Sequence, residues 1–134
     1  MERKRAVVGI VEKDGKILLG KKGINQESTL SGEWHIPGET IEGIETDKEA
    51  LIRGIQEEAG IEVEIIKFVG SNETPKGTLV NWYLCGTSSA DLAAGSDLEE
   101  ARWVAIAEIL ELSGKTAKLM WPEEVREMFG YIEE

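Results

Sequence analysis

The segment that most constrains the fold is one helical stretch between β-rich runs. Thr46 and Glu49 have the S/T-x-x-E spacing of a capping box, which satisfies backbone donors at a helix N-terminus. Gly60 supplies a left-handed stop at the other end, so a helix is predicted over 47–59. At about 100° per residue, one side of this helix is apolar and consists of Leu51, Ile52, Ile55 and Ala59. A helix with one apolar side has to pack on another layer.

Short β-rich runs lie on both sides of this helix. Before it, "KRAVVGIVEKDGKILLGKK" contains two apolar runs joined at Asp14-Gly15, which strongly favours a hairpin. After it, "IEVEIIKFVGSNE" and "GTLVNWYLCGT" predict an antiparallel pair, and "ARWVAI" predicts a further short strand. The tail predicts a short helix and then a longer one, with Pro122 near the start of the second. The expected class is a mixed β-sheet flanked by helices, either α+β or layered α/β/α.

Size and charge restrict the function classes. A length of 134 residues is typical of one domain, and we expect a single domain over 1–134. No apolar run approaches the roughly 18 residues that span a bilayer, and the N-terminus lacks a cleavage site for secretion, so a cytoplasmic protein without a membrane partner is expected. The net charge of −11 repels nucleic-acid phosphates, so no large nucleic acid is expected as a partner. The single Cys85 is expected to be a small buried hydrophobe.

The other side of the predicted helix carries Arg53, Gly54, Glu57 and Glu58. Arg53 and Glu57 are four residues apart, so the guanidinium can meet that carboxylate. Taken alone, the pattern favours a solvated face with an ion pair. The preceding loop, "PGETIEGIE", favours a site instead, because it can bring a backbone carbonyl and Glu45 to the same carboxylates. Mg²⁺ and Mn²⁺ prefer such an oxygen-only environment.

This segment resembles the signature of the Nudix (MutT-like) hydrolases, G-x5-E-x7-R-E-U-x-E-E-x-G-U, in which U is an aliphatic residue. On positions 39–61, seven of the nine defined positions agree, namely Glu45, Arg53, Ile55, Glu57, Glu58, Gly60 and Ile61. The stretches "ILLGKK", "GEWHIPG" and "EEARWVAIAEIL" are similar to the family's usual order, so the resemblance covers nearly the whole chain. The resemblance implies the Nudix fold, an α/β/α sandwich.

The signature is degenerate at two defined positions. Glu39 stands where the motif has its first glycine, and Ile44 replaces a glycine that is common before the glutamate, so a different loop conformation is expected. Gly54 stands where the motif has the glutamate after the arginine. In many members that carboxylate binds metal or activates the attacking water, so the usual base is missing. Glycine inside a helix is also less favourable than alanine by about 1 kcal/mol.

The resemblance implies a role for each matching residue. Glu57 and Glu58 would hold Mg²⁺ (or Mn²⁺) together with the carbonyl of Gly38, and Arg53 would orient Glu57. Glu45 would support the loop or reach the metal through water. Family members generally hydrolyse a nucleoside diphosphate linked to another group, with divalent ions that neutralise the phosphoanhydride and activate water.

Other residues are candidates for the missing base and for substrate contact. Several family members use a glutamate before the late strand, and "GSDLEEARW" offers Glu100 first, Glu99 second, and also Asp97. A solvated loop explains these acids equally well, and a metal-generated hydroxide would need no dedicated base. His35 and Trp34 are candidates for substrate contact, although a lone histidine in a strand is more often structural and strand aromatics are usually core.

Three functions are compatible with the sequence. The first is a Mg²⁺-dependent hydrolase of a small-molecule nucleotide or related diphosphate. The second is a nucleotide-binding module of the same fold whose catalysis is impaired because of Gly54. The third is an acidic interaction domain with no nucleotide role. The individual substrate and the oligomeric state are open, a homodimer included.

Overall fold

A computed structural model of the chain describes residues 4–23, 32–95 and 98–132. In these ranges the strands are β1 (Arg5–Lys13), β2 (Lys16–Lys22), β3 (Trp34–His35), β4 (Gly38–Thr40), β5 (Glu64–Glu73), β6 (Leu79–Gly86) and β7 (Leu98–Ala105). The α-helices are α1 (Asp47–Ala59), α2 (Ile109–Leu112), α3 (Lys115–Leu119) and α4 (Glu123–Phe129), and a 3₁₀ turn, Ile106–Glu108, precedes α2. Most of the predicted loop before β3 lies outside the described residues.

The strands form one mixed sheet in the order β3-β2-β1-β6-β5, with β4 paired to β1 and β7 paired to β2. The β1–β2 hairpin turns at Asp14 (φ 51°) and Gly15 (φ 78°), as predicted, because both central residues of such a turn need positive φ. The predicted β5–β6 pair is antiparallel. β1 and β6 are parallel. In the strand order, β1 lies in the middle of the sheet, between β2 and β6.

Helix α1 begins and ends where the local signals predict. The Thr46 hydroxyl accepts the Glu49 backbone N–H at 3.1 Å, and the Glu49 carboxylate accepts the Thr46 backbone N–H at 2.9 Å. Gly60 closes the helix with φ 73°. These contacts satisfy helix-end donors and acceptors that would otherwise lack partners, which explains why the termini agree with the prediction.

Two apolar clusters cover the two faces of the sheet. On one face, Leu51 and Ile55 of α1 pack with Val7, Val11 and Leu18. The other face carries Ile10, Ile17 and Leu19, which pack with residues of the C-terminal helices, namely Ile109, Trp121, Val125 and Phe129. Successive side chains of a strand point to opposite faces, so β1 and β2 supply both clusters. The result is the predicted sheet between helical layers, and Cys85 is fully buried in the α1 cluster.

The C-terminal segment differs from the predicted two helices. It contains the 3₁₀ turn and three short helices, α2 to α4. Gly114 and Pro122 each have an extended backbone and immediately precede a helix. These two residues therefore divide the segment. In the described part of the chain, none of the helices has the length and apolar character needed to cross a membrane.

Candidate active site

The loop between β4 and α1 places the signature residues. β4 pairs antiparallel with β1, with Gly38 opposite Val8 and Glu39 opposite Val7. A Cβ at Gly38 would lie 2.8 Å from the Val7 carbonyl oxygen, so only glycine fits where β4 approaches β1. The chain then turns at Gly43 (φ 55°) and enters α1, which packs on β4. Residues 38–39 therefore lie beside the middle of α1.

The Arg53 guanidinium binds this loop to the helix. Its Nε and Nη2 donate to Glu45 Oε2 and Oε1 at 2.7 and 2.9 Å, and Nη2 also donates to the Thr40 carbonyl at 3.2 Å. The contact with Glu57 is longer, 3.4 Å from Nη1 to Oε1. The main partner of Arg53 is thus Glu45, whereas the resemblance implied that Arg53 orients Glu57. The fork geometry of arginine matches a carboxylate in this two-bond manner.

Electrostatics follow from the same contacts. Hydrogen bonds from Arg53 lower the pKa of Glu45 to about 2, and the Glu42 backbone N–H, which donates to Glu45 Oε1 at 2.9 Å, adds to this effect. The hydrogen bond to Glu45 in turn raises the pKa of Arg53 above its usual range. Glu45 therefore favours the ionised form near neutral pH and bridges the loop to α1 through Arg53.

The two adjacent carboxylates of α1 differ in environment. The Glu58 residue is 3% exposed, whereas the Glu57 side chain is 48% exposed. Gly54 is also buried, so this side of the helix is not the solvated face that the charge pattern alone favoured. The reason is tertiary, because β4 and the loop after it cover the middle of α1.

Glu39, which the sequence marked as a departure from the signature without a role at the site, lies next to the helix carboxylates. Its side chain, 22% exposed, packs on Gly54, and its Oε2 lies 3.6 Å from Arg53 Nη1. Burial raises the pKa of Glu39, more than offsetting the Thr40 backbone N–H and the Arg53 charge, which lower it. The sequence did contain a signal for this contact, since the motif's glycine and glutamate are exchanged between positions 39 and 54.

A cavity of about 1120 Å³ adjoins these residues. One part of its lining contains His35, Gly38, Glu39 and Glu58, and another part is apolar and includes Trp82, Met120 and Trp121. A cleft with apolar walls and a few convergent polar groups is typical of small-ligand sites.

The predicted substrate residues have different positions. His35 is 5% exposed and lines the cavity, and its Nδ1–H donates to the Ile36 carbonyl at 3.0 Å. Trp34 does not line that cavity, and the Arg102 guanidinium lies 4.8 Å from the centre of its ring. Trp82 lines the cavity, and its Nε1–H donates to Asn72 Oδ1 at 3.0 Å.

The acids near the late strand lie elsewhere. Glu100 is on β7 opposite Lys21, and its carboxylate accepts a hydrogen bond from Arg102 at 2.9 Å with half of the side chain exposed. Neither Glu100 nor the exposed Glu99 lines the cavity beside Glu58. Asp97 lies outside the described residues.

The donor chemistry at the site suits a hard divalent cation. Glu39 and Glu58 line the cavity together with Gly38, and Glu57 precedes Glu58 on α1. These groups offer oxygen, which is the donor that Mg²⁺ and Mn²⁺ prefer. Within residues 4–23, 32–95 and 98–132, no three His, Cys, Asp or Glu side chains are already gathered at ligating distances. The residues therefore fit such a cation by donor type.

Comparison with known proteins identifies the family of this chain. The family profile "NUDIX domain" matches residues 2–124. An ADP-ribose pyrophosphatase of Methanocaldococcus jannaschii is 30% identical over 120 residues, which cover 86% of this chain and 69% of that protein. A CTP pyrophosphohydrolase of Escherichia coli is 36% identical over 73 residues, 54% of this chain and 53% of that protein.

Solved structures show the same fold. The solution structure of the E. coli ORF135 protein matches with a TM-score of 0.72 and 26% identity, covering 96% of this chain and 91% of that chain. A NUDIX hydrolase from Nitrosomonas europaea matches with a TM-score of 0.75 and 24% identity, covering 87% of this chain and 66% of that chain. With the family profile spanning residues 2–124, this chain belongs to the Nudix hydrolase family.

Proposed function

We propose that this protein is a Mg²⁺- or Mn²⁺-dependent hydrolase of a nucleoside diphosphate linked to another group. The observation that carries the proposal is the buried Glu58 carboxylate, which lines the cavity together with Gly38 and Glu39, next to the loop that Arg53 holds in place. Two relatives named above, an ADP-ribose pyrophosphatase and a CTP pyrophosphohydrolase, support a phosphoanhydride in a small nucleotide as the bond that is cleaved.

Different residues of the chain would bind the cation, hold the loop and contact the substrate. Glu57, Glu58 and the Gly38 carbonyl would hold the cation, which when bound neutralises the diphosphate and activates water. The hydrogen bonds between Arg53 and Glu45 hold the loop that follows β4 against α1, next to the strand that carries Gly38. We assign His35 and the apolar wall around Trp82 to the nucleoside side of the substrate, because both line the cavity. A place for Trp34 in substrate contact and for Glu100 as base stays a prediction.

The test is a panel of nucleoside diphosphate compounds, including ADP-ribose, and nucleoside triphosphates, including CTP, each with Mg²⁺ or Mn²⁺. Release of nucleoside monophosphate is expected for at least one compound, and Glu57→Gln and Glu58→Gln should each abolish it. Glu127→Gln is the matched control, because this exposed carboxylate lies on α4 and does not line the cavity. Equal loss in the control variant, or turnover that persists in both site variants, would contradict the proposal.

The second candidate is a nucleotide-binding module without turnover. Gly54 favours it, because the carboxylate that many family members use at this position is absent. Thermal stabilisation by a nucleotide without any hydrolysis over the same panel would support this candidate, since a ligand that binds only the folded state raises the melting temperature.

A further inference from the structure

We propose that Glu39 supplies the carboxylate that position 54 lacks, so that the glycine and the glutamate of the signature have exchanged places across the β4–α1 contact. Glu39 is then a ligand of the divalent cation, together with Glu57 and Glu58. The inference deepens the proposed function and depends on it for its chemistry. Its steric part, the mutual exclusion of side chains at positions 39 and 54, is independent of any activity.

The space around Gly54 shows that the two positions are coupled. A Cβ built on Gly54 would lie 2.5 Å from Glu39 Cβ and 2.8 Å from Glu39 Cγ. Neighbouring atoms cannot approach so closely, and Glu39 Cβ is attached directly to the backbone of β4, so it has little freedom to withdraw. Apart from the neighbouring backbone of α1 itself, the three heavy atoms nearest to that Cβ all belong to Glu39. A side chain at position 54 therefore requires a small residue at position 39, and the reverse also holds.

The register of β4 directs the Glu39 side chain to the helix. Glu39 is opposite Val7 in the β1–β4 pair, and paired residues in adjacent strands point to the same face of a sheet. Val7 belongs to the apolar cluster that α1 covers. The carboxylate of Glu39 consequently lies between β4 and α1. A glutamate at position 54 would project into the same space from the helix.

The Glu39 carboxylate is also oriented by its contacts. Its Oε1 accepts the Thr40 backbone N–H at 3.0 Å, and its Oε2 lies 3.6 Å from Arg53 Nη1 and 3.2 Å from the ideal Cβ position of Gly54. Glu39 lines the same cavity as Glu58 and Gly38. The carboxylate is thus at the cavity wall where the side chain of a residue at position 54 would begin.

Other described acids near the site are less suitable replacements. Glu45 is engaged by two hydrogen bonds from Arg53. Glu100 is half exposed, bonds Arg102 and does not line the cavity. Neither of these side chains is among the three nearest atoms to the space that a residue at position 54 would occupy.

The first experiment tests the steric part with a double-mutant cycle on thermal stability, using Gly54→Ala, Glu39→Gly and the double variant. In the wild-type background, Gly54→Ala should lower the melting temperature by roughly 5 °C or more, because the added methyl meets Glu39. In the Glu39→Gly background the same change should raise it, since alanine is the better helix former once the space is open. Equal effects of Gly54→Ala in both backgrounds would overturn the exchange.

The second experiment measures Mn²⁺ binding by calorimetry or electron paramagnetic resonance, with the metal alone and beside ADP-ribose. Glu39→Gln, which keeps an oxygen for the Thr40 N–H, should weaken Mn²⁺ binding by about tenfold or more. The exchange variant, Glu39→Gly with Gly54→Glu, should restore most of the affinity at unchanged net charge. Gly54→Glu alone should destabilise the fold because Glu39 remains in place. The exposed Glu127→Gln is the control and should bind like wild type.

The outcomes separate this inference from the proposed function. Wild-type binding of Mn²⁺ that Glu39→Gln leaves unchanged would overturn the role of Glu39 while the proposed function stands. Failure of the exchange variant to regain affinity, despite a wild-type melting temperature, would also count against it. Absence of both Mn²⁺ binding and hydrolysis in the wild type would overturn the proposed function, and the metal role of Glu39 with it.

Discussion

Arg53 holds Glu45 through two parallel hydrogen bonds, from Nε to Oε2 at 2.7 Å and from Nη2 to Oε1 at 2.9 Å. The pair joins the middle of α1 to the loop that precedes it, eight residues earlier in the chain. Strand β4, which carries Gly38 and Glu39, leads directly into this loop, and Arg53 Nη2 also donates to the Thr40 carbonyl at the end of β4. Arg53 thus connects α1 to both the loop and the end of β4.

Arg53→Lys should reduce hydrolysis even though the charge is retained. A lysine ammonium cannot make two parallel hydrogen bonds to one carboxylate, so the loop would lose its fixed position. Small displacements of site groups lower rates by roughly 100-fold, and we expect a loss in kcat of that order. Steady-state kinetics on the best substrate of the panel measure it. Activity of Arg53→Lys equal to that of wild type would show that the two-bond geometry is unimportant.

The Glu45–Arg53 pair should make stability dependent on acid pH. Because Arg53 lowers the pKa of Glu45 from 4.5 to about 2, the folded state favours the ionised carboxylate. The stabilisation is therefore complete above pH 4.5 and is lost as the pH falls from 4.5 towards 2. Melting temperatures of wild type and Glu45→Gln should converge over this interval. A difference that stays constant down to pH 2 would contradict this assignment.

Cys85 should be inert in the native protein. It is 0% exposed, and burial raises the pKa of its thiol to about 12. The thiolate is the reactive form, so modification by a disulfide reagent at pH 8 should require unfolding. The reaction is followed by the absorbance of the thiolate that the reagent releases. Since Cys85 is the one cysteine in the sequence, this absorbance reports on Cys85 alone. Fast modification of the native protein, at the rate seen in urea, would show that the cluster around Cys85 opens readily.

The same thiol should make the fold less stable at alkaline pH. A pKa raised from 9.0 to about 12 means that the folded state keeps the proton longer than the unfolded chain does. Its stabilisation is present below pH 9 and decreases as the pH rises from 9 towards 12. Melting curves of wild type and Cys85→Ala over this interval measure the effect. An alkaline decline of the same steepness in Cys85→Ala would assign the decline to other groups.

Thr46→Ala should lower the free energy of unfolding by about 1 kcal/mol, because the N-cap hydroxyl accepts the Glu49 backbone N–H. Thr46→Ser retains the hydroxyl and is the matched control, expected to remain close to wild type. Urea denaturation with a common m-value measures both. A Thr46→Ser variant as unstable as Thr46→Ala would indicate that the methyl group, and not the hydrogen bond, matters at this position.

Local signals were sufficient for the elements next to the site. The bounds of α1 follow from Thr46, Glu49 and Gly60, whose contacts lie within the helix ends, and the β1–β2 turn follows from Asp14-Gly15. The C-terminal helices were less predictable. Gly114 and Pro122 divide that segment, and such short helices depend on packing against the sheet more than on their own propensity.

The site residues show the same division. The signature predicts that Arg53, Glu45, Glu57 and Glu58 lie on one helix and its preceding loop, because their spacing is local. Which carboxylate Arg53 prefers, and which of the two adjacent glutamates is buried, depend on how β4 lies on α1. Spacing in the sequence contains no information about that packing.

By itself, the sequence determined the family and the helix that bears the carboxylates, because these depend on residue types at short spacings. Only the tertiary structure decided that the Glu39 side chain fills the space next to Gly54. The two residues are 15 positions apart in the sequence, and they meet because β4 pairs with β1 on the face that α1 covers. A glycine that interrupts the motif in the sequence is, in the fold, the position against which a glutamate from the neighbouring strand packs.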